Sequence, residues 1–277
     1  MRSNGCGGRS CPNAEKFEEA IEIIAEFDFS RPGTAPLESR PIAFIDTGRD
    51  ATGTLLDRLP AFRARALACA PVLEPRLDRS RRGLDTLLTL DRQVGGTGRL
   101  GLEGTEELVA ALLADLAHVE AEALRAGDAA LAAENADFVL GTALWAIRHE
   151  VPIAAPEPVV NALAIRANGA RTKSELSAVA ELMQGVATHL APRLAPDLER
   201  SNPERPWRVL HANLAITAIR TEDPALMDFA FDALDGALPD ERAGFYAEAL
   251  ALALAPGIAP AVRERIEARH LKWTAAR

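Results

Sequence analysis

Two cysteines near the N-terminus are the residues whose type and spacing best suit chemistry. Cys6 and Cys11 lie five positions apart in the segment NGCGGRSCPN, with a pair of glycines between them. Glycine lets the backbone turn sharply, so that backbone amides can point at a thiolate sulfur. The pair could therefore hold a metal ion, or form a reversible disulfide if Arg9 lowers a thiol pKa. The alternative is that residues 1–12 form a flexible tail.

The cysteine count limits the metal site that this pair could form. An iron–sulfur cluster usually takes four cysteine thiolates, whereas this chain has only one further cysteine, Cys69. A cluster at Cys6 and Cys11 would therefore be shared with a second subunit, as in a homodimer, or with a partner protein. Zinc is the other metal to consider, with Cys69 and a histidine completing the four ligands.

The segment GTGRLG (96–101) has the G-x-G-x-x-G spacing of dinucleotide-binding loops. That motif requires a strand that leads in and a helix that begins within the glycines. Here the next predicted helix begins only at about Thr105. We interpret the segment as a flexible loop ahead of a helix.

The segment AFIDTGRDATG (43–53) resembles the catalytic segment of retroviral-type aspartic proteases, whose core is Asp-Thr-Gly after two hydrophobic residues. The resemblance implies that Asp46 shares a proton with its twin across a dimer. Such proteases are small all-β domains, whereas the residues after Gly53 are proline-broken and helical in pattern. We interpret residues 42–48 as a strand that ends in an Asp-Thr-Gly turn.

Carboxylate–histidine pairs at i,i+3 spacing would lie on one face of a helix. The two pairs are Asp115 with His118 and Glu267 with His270. Di-iron bundles use Glu-x-x-His pairs together with further carboxylates, for which Glu134 and Asp137 are the candidates. Because Asp115 replaces a glutamate and Glu267 lies in the charged segment RERIEARH, we expect ordinary surface pairs.

A third kind of site would be a catalytic one among the apolar helices. His211 lies in the segment WRVLHANLAI, where a core or groove histidine is the usual explanation. The sequence contains no P-loop, no H-E-x-x-H and no nucleophile with a base at motif spacing. A helical enzyme between two duplicated halves, near Trp145, His211 and Asn213, is a hypothesis because catalytic groups gather in space.

The elements that position these residues are predicted to be helices. We therefore expect an all-α fold of antiparallel helix hairpins, arranged either as a helical-repeat-like stack or as a bundle. Residues 105–277 form the predicted helical domain, with Gly127 ending its first helix. A capping box at Thr172 and Glu175 and an N-cap at Asp223 begin later helices. The predicted helices are 105–126, 128–149, 157–167, 173–191, 206–221, 224–235, 240–254 and 260–274.

Residues 13–104 predict an irregular, partly helical N-terminal region. A short amphipathic helix is expected at 13–27, followed by a proline-rich connection. Residues 55–93 are expected to be irregular with short helices, because Pro60, Pro71 and Pro75 interrupt the apolar pattern.

An internal repetition connects two parts of the helical domain. The segments ALWAIRHEVP (143–152) and AITAIRTEDP (215–224) share Ala, Ala-Ile-Arg, Glu and Pro, and the segments APRLAP (191–196) and APGIAP (255–260) follow in the same order. The order of the two matches predicts a duplication, with units at about 139–196 and 209–260. Stacked helix pairs of this kind build helical-repeat proteins.

Charge and composition narrow the function. The net charge of −9 argues against nucleic-acid binding, and the arginine-rich segment RLDRSRRG (76–83) is expected to be a solvated face or loop. No apolar run suits a membrane span and the N-terminus lacks a signal-peptide pattern, so we expect a cytoplasmic protein without membrane contact. The alanine and arginine bias is typical of a high-GC bacterial genome.

The leading functional hypothesis is a cytoplasmic interaction, scaffold or accessory protein that presents a helical surface to another protein. The predicted duplication and the lack of a coherent catalytic motif favour it. The alternative is a metal- or redox-linked accessory protein that acts through Cys6 and Cys11.

Overall fold

The computed structural model describes residues 51–94, 104–195, 205–255 and 257–275. Over these ranges the fold is all-α, as predicted, with ten α-helices, one short 3₁₀ turn and no strand. The predicted helix at 13–27, the predicted strand at 42–48 and the glycine loop at 96–101 lie outside the described residues.

The described helices fall into two compact units. The six-helix unit contains α1 to α6, and the four-helix unit contains α7 to α10. The helices are α1 (Ala51–Cys69), α2 (Glu74–Val94), α3 (Thr105–Ala126), α4 (Ala129–Arg148), α5 (Glu157–Gly169), α6 (Lys173–Leu194), α7 (Pro206–Thr221), α8 (Pro224–Ala237), α9 (Arg242–Ala253) and α10 (Pro260–Thr274), with the 3₁₀ turn Pro71–Leu73 between α1 and α2.

The predicted helix boundaries from α3 onward are confirmed within a few residues, and so are their caps. Asp128 accepts a hydrogen bond from the Leu131 amide at 2.9 Å, and Thr172 forms the capping box with Glu175. Asp223 accepts from the amides of the first turn of α8. These side chains satisfy amides that have no partner within their own helix, which is why the helix starts were readable from sequence.

The prediction of short, irregular helices over 55–93 is wrong. The chain forms two long helices there, α1 with 19 residues and α2 with 21. Pro60 lies on the exposed side of α1, where water can hydrate the carbonyl that loses its helical donor. Pro71 begins the 3₁₀ turn, and Pro75 is the second residue of α2, where no amide hydrogen is needed. Two of the three prolines therefore mark helix starts rather than interruptions.

Helix α4 is the centre of the six-helix unit. It contacts α1, α3 and α5, and 12 of its 20 residues are buried. Phe138 stacks on Phe62 of α1 with ring centroids 4.3 Å apart, and Asn135 donates a hydrogen bond to the Leu116 carbonyl of α3 at 3.2 Å. The neighbouring helices are thus attached to α4 by both apolar packing and a buried polar contact.

The four-helix unit consists of α7 packed on α8 and of α9 packed on α10, with α10 also contacting α8. Tyr246 of α9 is completely buried, with its ring edge-on to Phe231 of α8 at 5.3 Å between centroids. Its hydroxyl donates to an Asp235 carboxylate oxygen at 3.0 Å. This contact connects α9 to α8 from within the core.

The repeated segments adopt the same turn. Glu150 and Glu222 occupy matching positions, and they are the only described non-glycine residues with positive φ, at 54° and 57°. The Glu150 amide donates to the Ile147 carbonyl at 3.2 Å, and the Glu222 amide donates to the matching Ile219 carbonyl at 3.1 Å. The shared sequence therefore gives a shared left-handed helix end, while duplicated units at 139–196 and 209–260 stay a prediction.

The left-handed backbone at these two positions predicts a stabilising change. Replacing Glu150 or Glu222 with Gly should raise the free energy of unfolding by about 1 kcal/mol relative to Ala at the same position, because Gly lacks the Cβ that is strained there. Urea unfolding of the matched Gly and Ala variants measures this difference, and both lose the same glutamate contacts. Equal stability of the two variants would contradict the prediction.

Candidate functional site

The structure describes only one of the three cysteines considered for the predicted metal site. Cys6 and Cys11 lie outside the described residues, whereas Cys69 is a free, half-buried thiol at the end of α1. Its Sγ donates to the Glu122 carbonyl of α3 at 3.8 Å. In the four described ranges, no three His, Cys, Asp or Glu side chains form a group that could hold a metal ion. An iron–sulfur or zinc site at Cys6 and Cys11 therefore stays a prediction.

Asp115 is buried and held by two arginines, so the expectation of an ordinary surface pair with His118 is wrong for this residue. Arg79 of α2 donates to both carboxylate oxygens, at 2.6 and 2.9 Å, and Arg76 donates to one at 3.2 Å. His118 is exposed to solvent. The segment RLDRSRRG is therefore a stretch of helix, and two of its arginines connect α2 to α3. Arg81 and Arg82 are exposed, as expected for a solvated face.

The second group of candidate metal ligands is also bound by arginine. Asp137 of α4 lies 2.9 Å from Arg58 of α1 and 3.3 Å from Arg166 of α5. Glu134 lies 3.9 Å from the same Arg58 guanidinium. These carboxylates thus hold three helices together, and Glu267 of the remaining pair is exposed.

A buried acid–histidine contact joins α2 to the end of α4, and no sequence motif marks it. The Nε2 atom of His149 lies 2.8 Å from Asp91 Oδ1, and Arg148 binds the same oxygen. The imidazole also packs against the Trp145 ring, 4.5 Å between centroids. A carboxylate that orients an imidazole is a feature of catalytic triads. Because His149 is completely buried, this contact is placed to hold helices rather than to meet a substrate.

His211 is a buried histidine on α7 and is 5 % exposed. Neither ring nitrogen has a hydrogen-bond partner among the residues that the structure describes. Its ring lies edge-on to Trp207, 4.3 Å between centroids. Burial lowers the pKa of His211 to about 4, so the imidazole is neutral near pH 7. This is the core histidine that the sequence suggested, with its nitrogens left unsatisfied.

The predicted catalytic group is distributed over both units. Trp145 belongs to the six-helix unit and packs on His149, whereas His211 and the half-buried Asn213 lie on α7. A site that uses all three residues stays a prediction.

Glu120 is a further buried group with an unsatisfied atom. One carboxylate oxygen on α3 accepts a hydrogen bond from the Asn161 side chain of α5 at 3.2 Å, and the other oxygen is buried without a partner in the described part of the chain. Burial raises the pKa of Glu120, and the weaker effect of the Asn161 hydrogen bond opposes it. No motif marked this residue.

Two large apolar side chains are exposed at one end of the six-helix unit. Val72 in the 3₁₀ turn is 72 % exposed, and Leu124 near the end of α3 is 62 % exposed. Val72 follows Cys69 by three positions and Leu124 follows Glu122 by two, and the Cys69–Glu122 contact joins the helix ends that carry them. We call this surface, formed by Val72 and Leu124, the end patch.

The chain matches no protein-family model, and neither the curated proteins nor the solved structures give a match. Among the described helices, none combines the length and the apolar character needed to cross a membrane.

The unsatisfied imidazole of His211 predicts a loss of stability in acid. Between about pH 6.5 and pH 4 the unfolded chain binds a proton that the folded chain does not, so stability falls as pH falls. The full effect is about 3 kcal/mol for a pKa difference of this size. Urea unfolding at several pH values should show this loss in the native chain and its absence in His211→Leu. His118→Leu, which changes an exposed histidine, serves as the control. An unchanged pH slope in His211→Leu would contradict the prediction.

Glu120 predicts the opposite pH dependence. Its folded pKa is raised, so the folded chain binds more protons than the unfolded chain, and stability falls as pH rises from about 4.3. Glu120→Gln removes the buried charge and should stabilise the protein at pH 7 by about 1 kcal/mol. Urea unfolding at pH 7 and in mild acid measures this, with the exposed Glu107→Gln as the matched control. A Glu120→Gln variant that is less stable than the native chain at pH 7 would refute the assignment.

Proposed function

We propose that this protein is an interaction or scaffold protein that presents a helical surface to a partner protein. The observation that carries the proposal is the end patch, where Val72 and Leu124 expose most of their apolar surface. Covering one such side chain contributes about 1.5–3 kcal/mol. Two of them at one end of a unit therefore give a partner a substantial apolar contact.

The surroundings of the end patch favour protein binding. Arg65 forms a two-bond ion pair with Asp128 at 3.1 and 3.2 Å, and Arg125 pairs with Glu122. Charged pairs beside an apolar centre resemble the polar rim of a protein interface. The partner that fits is a protein segment with an apolar centre and charges of both signs around it.

The end patch is also held in position before any partner arrives. The Arg65–Asp128 pair joins α1 to the start of α4, and the Cys69 thiol joins α1 to α3. A surface that is ordered in advance loses less conformational entropy on binding. This supports a binding role for the rigid helix ends.

A capture experiment with three baits tests the proposal. The native chain and the control Leu254→Glu should recover the same stoichiometric partner from native extract, and the double variant Val72→Glu/Leu124→Glu should lose it. Leu254 is 64 % exposed and lies in the four-helix unit, so its change introduces a similar charge elsewhere. Size-exclusion chromatography of the native chain tests whether the partner that binds the end patch is a second copy of this chain. Recovery of the same proteins by all three baits, or of none by the native chain, would refute the proposal.

A further inference from the structure

Helix α10 packs along α9 and reaches α8 through charged side chains. Only Val262 and Ile266 of its 15 residues are buried. The remaining contacts include a hydrogen bond from Arg263 to the Ala253 carbonyl at 2.9 Å and the packing of Arg242 over the Trp273 ring at 3.4 Å. A helix with so small an apolar face gains little from burial for the backbone that it orders.

The charges of α10 match those of α8 in spacing. α8 carries Asp228, Asp232 and Asp235, and α10 carries Arg265, Arg269 and Lys272, both at positions i, i+4 and i+7. The first base, Arg265, contacts the first acid, Asp228, and the last base, Lys272, contacts the last acid, Asp235. The two helices therefore run in parallel. The nitrogen–oxygen distances are 3.3 Å for Arg265–Asp228, 2.7 and 2.8 Å for Arg269 with Asp232 and Asp235, and 3.8 Å for Lys272–Asp235. We call the three aspartates the acidic stripe.

Part of this pairing is open to solvent. Asp232 and Lys272 are largely exposed and Asp228 is half-exposed, whereas Arg269 is the most covered of the three bases. Exposed ion pairs stabilise weakly and are screened by salt. The attachment of α10 should therefore weaken as ionic strength rises.

The docking of α10 also leaves polar atoms unsatisfied. A His270 ring nitrogen and the Trp273 indole nitrogen are buried without a hydrogen-bond partner among the described residues. Such atoms lose their hydrogen bonds with water when the helix docks, which opposes docking. By contrast, Asp235 is well satisfied beneath α10, since it also accepts from Tyr246 at 3.0 Å. Asp235 therefore anchors one end of the acidic stripe in the core.

We propose that α10 is a detachable strap, and that the acidic stripe beneath it binds a basic amphipathic helix of a partner protein. The chain's own α10 shows what such a helix needs: bases at i, i+4 and i+7 and two apolar residues like Val262 and Ile266. The partner replaces α10 on α8. This inference rests on the proposed role in protein interaction but concerns a different surface from the end patch, so loss of either binding activity leaves the other to be measured.

The first test uses the native full chain and hydrogen exchange. Raising salt from about 0.05 to about 0.5 M should accelerate amide exchange in α10 by about tenfold or more, while α7 stays unchanged. Protection of α10 that equals that of α7 and does not respond to salt would overturn the proposal. This measurement needs no variant, so it tests whether α10 detaches even if a variant fails to fold.

The second test uses a labelled peptide with the sequence of residues 258–275 as the probe. It should bind the full chain carrying Arg265→Gln/Arg269→Gln at least about tenfold more tightly than the native chain, because the competing strap is weakened. Adding Asp228→Asn/Asp232→Asn to that variant should remove the gain. A control peptide with glutamine at the three basic positions should not bind.

Two results would refute the partner assignment. The peptide could fail to bind a variant whose α10 exchanges freely, which would mean that the exposed stripe does not recognise basic helices. Alternatively, the native chain could form a dimer in salt as α10 opens, which would make a second copy the occupant. Neither result would bear on capture by the end patch.

Discussion

The burial of α4 is the constraint on which the six-helix unit depends. Its buried residues include small ones such as Ala132, Ala136 and Gly141 beside the large Phe138 and Trp145. Small side chains let neighbouring backbones approach closely, while the aromatic rings fill the spaces between them. α1, α3 and α5 all contact α4 directly. α6 packs on α5, whereas α2 packs on α1 and α3 and also meets the end of α4 through Asp91.

Arginines form ion pairs across several of the helix contacts. Asp91, Asp115, Asp137 and Asp235 each sit where helices meet, and each is bound by at least one arginine from a different helix. The guanidinium fork can reach two oxygens or two carboxylates at once, which the single ammonium of lysine does less well. Removing one member of such a pair leaves a poorly hydrated charge, so a wrong helix neighbour is costly. We infer that the arginine bias of the chain serves helix pairing more than binding of an anionic partner.

How far the sequence predicted the structure depended on the range of the interaction. Caps at Asp128, Thr172 and Asp223 involve residues a few positions apart, so the helix starts could be read from the chain. The mistake over 55–93 came from treating prolines as interruptions without knowing which side of the helix faces water. Contacts such as Asp91 with His149 join residues 58 positions apart, and no local pattern records them. His211 was found because an apolar neighbourhood is a local feature, but its unsatisfied nitrogens are visible only in three dimensions.

Two buried titratable groups with unsatisfied atoms make the two units respond differently to pH. Protonation is unfavourable for His211 in the four-helix unit, because its charged form is buried. Ionisation is unfavourable for Glu120 in the six-helix unit, because its negatively charged form is buried. Acid therefore weakens the four-helix unit. Near neutral pH, the ionised Glu120 makes the six-helix unit less stable than it would be with a neutral side chain at that position. The strap α10 belongs to the unit that acid weakens, so mild acid and salt act on that unit in the same direction.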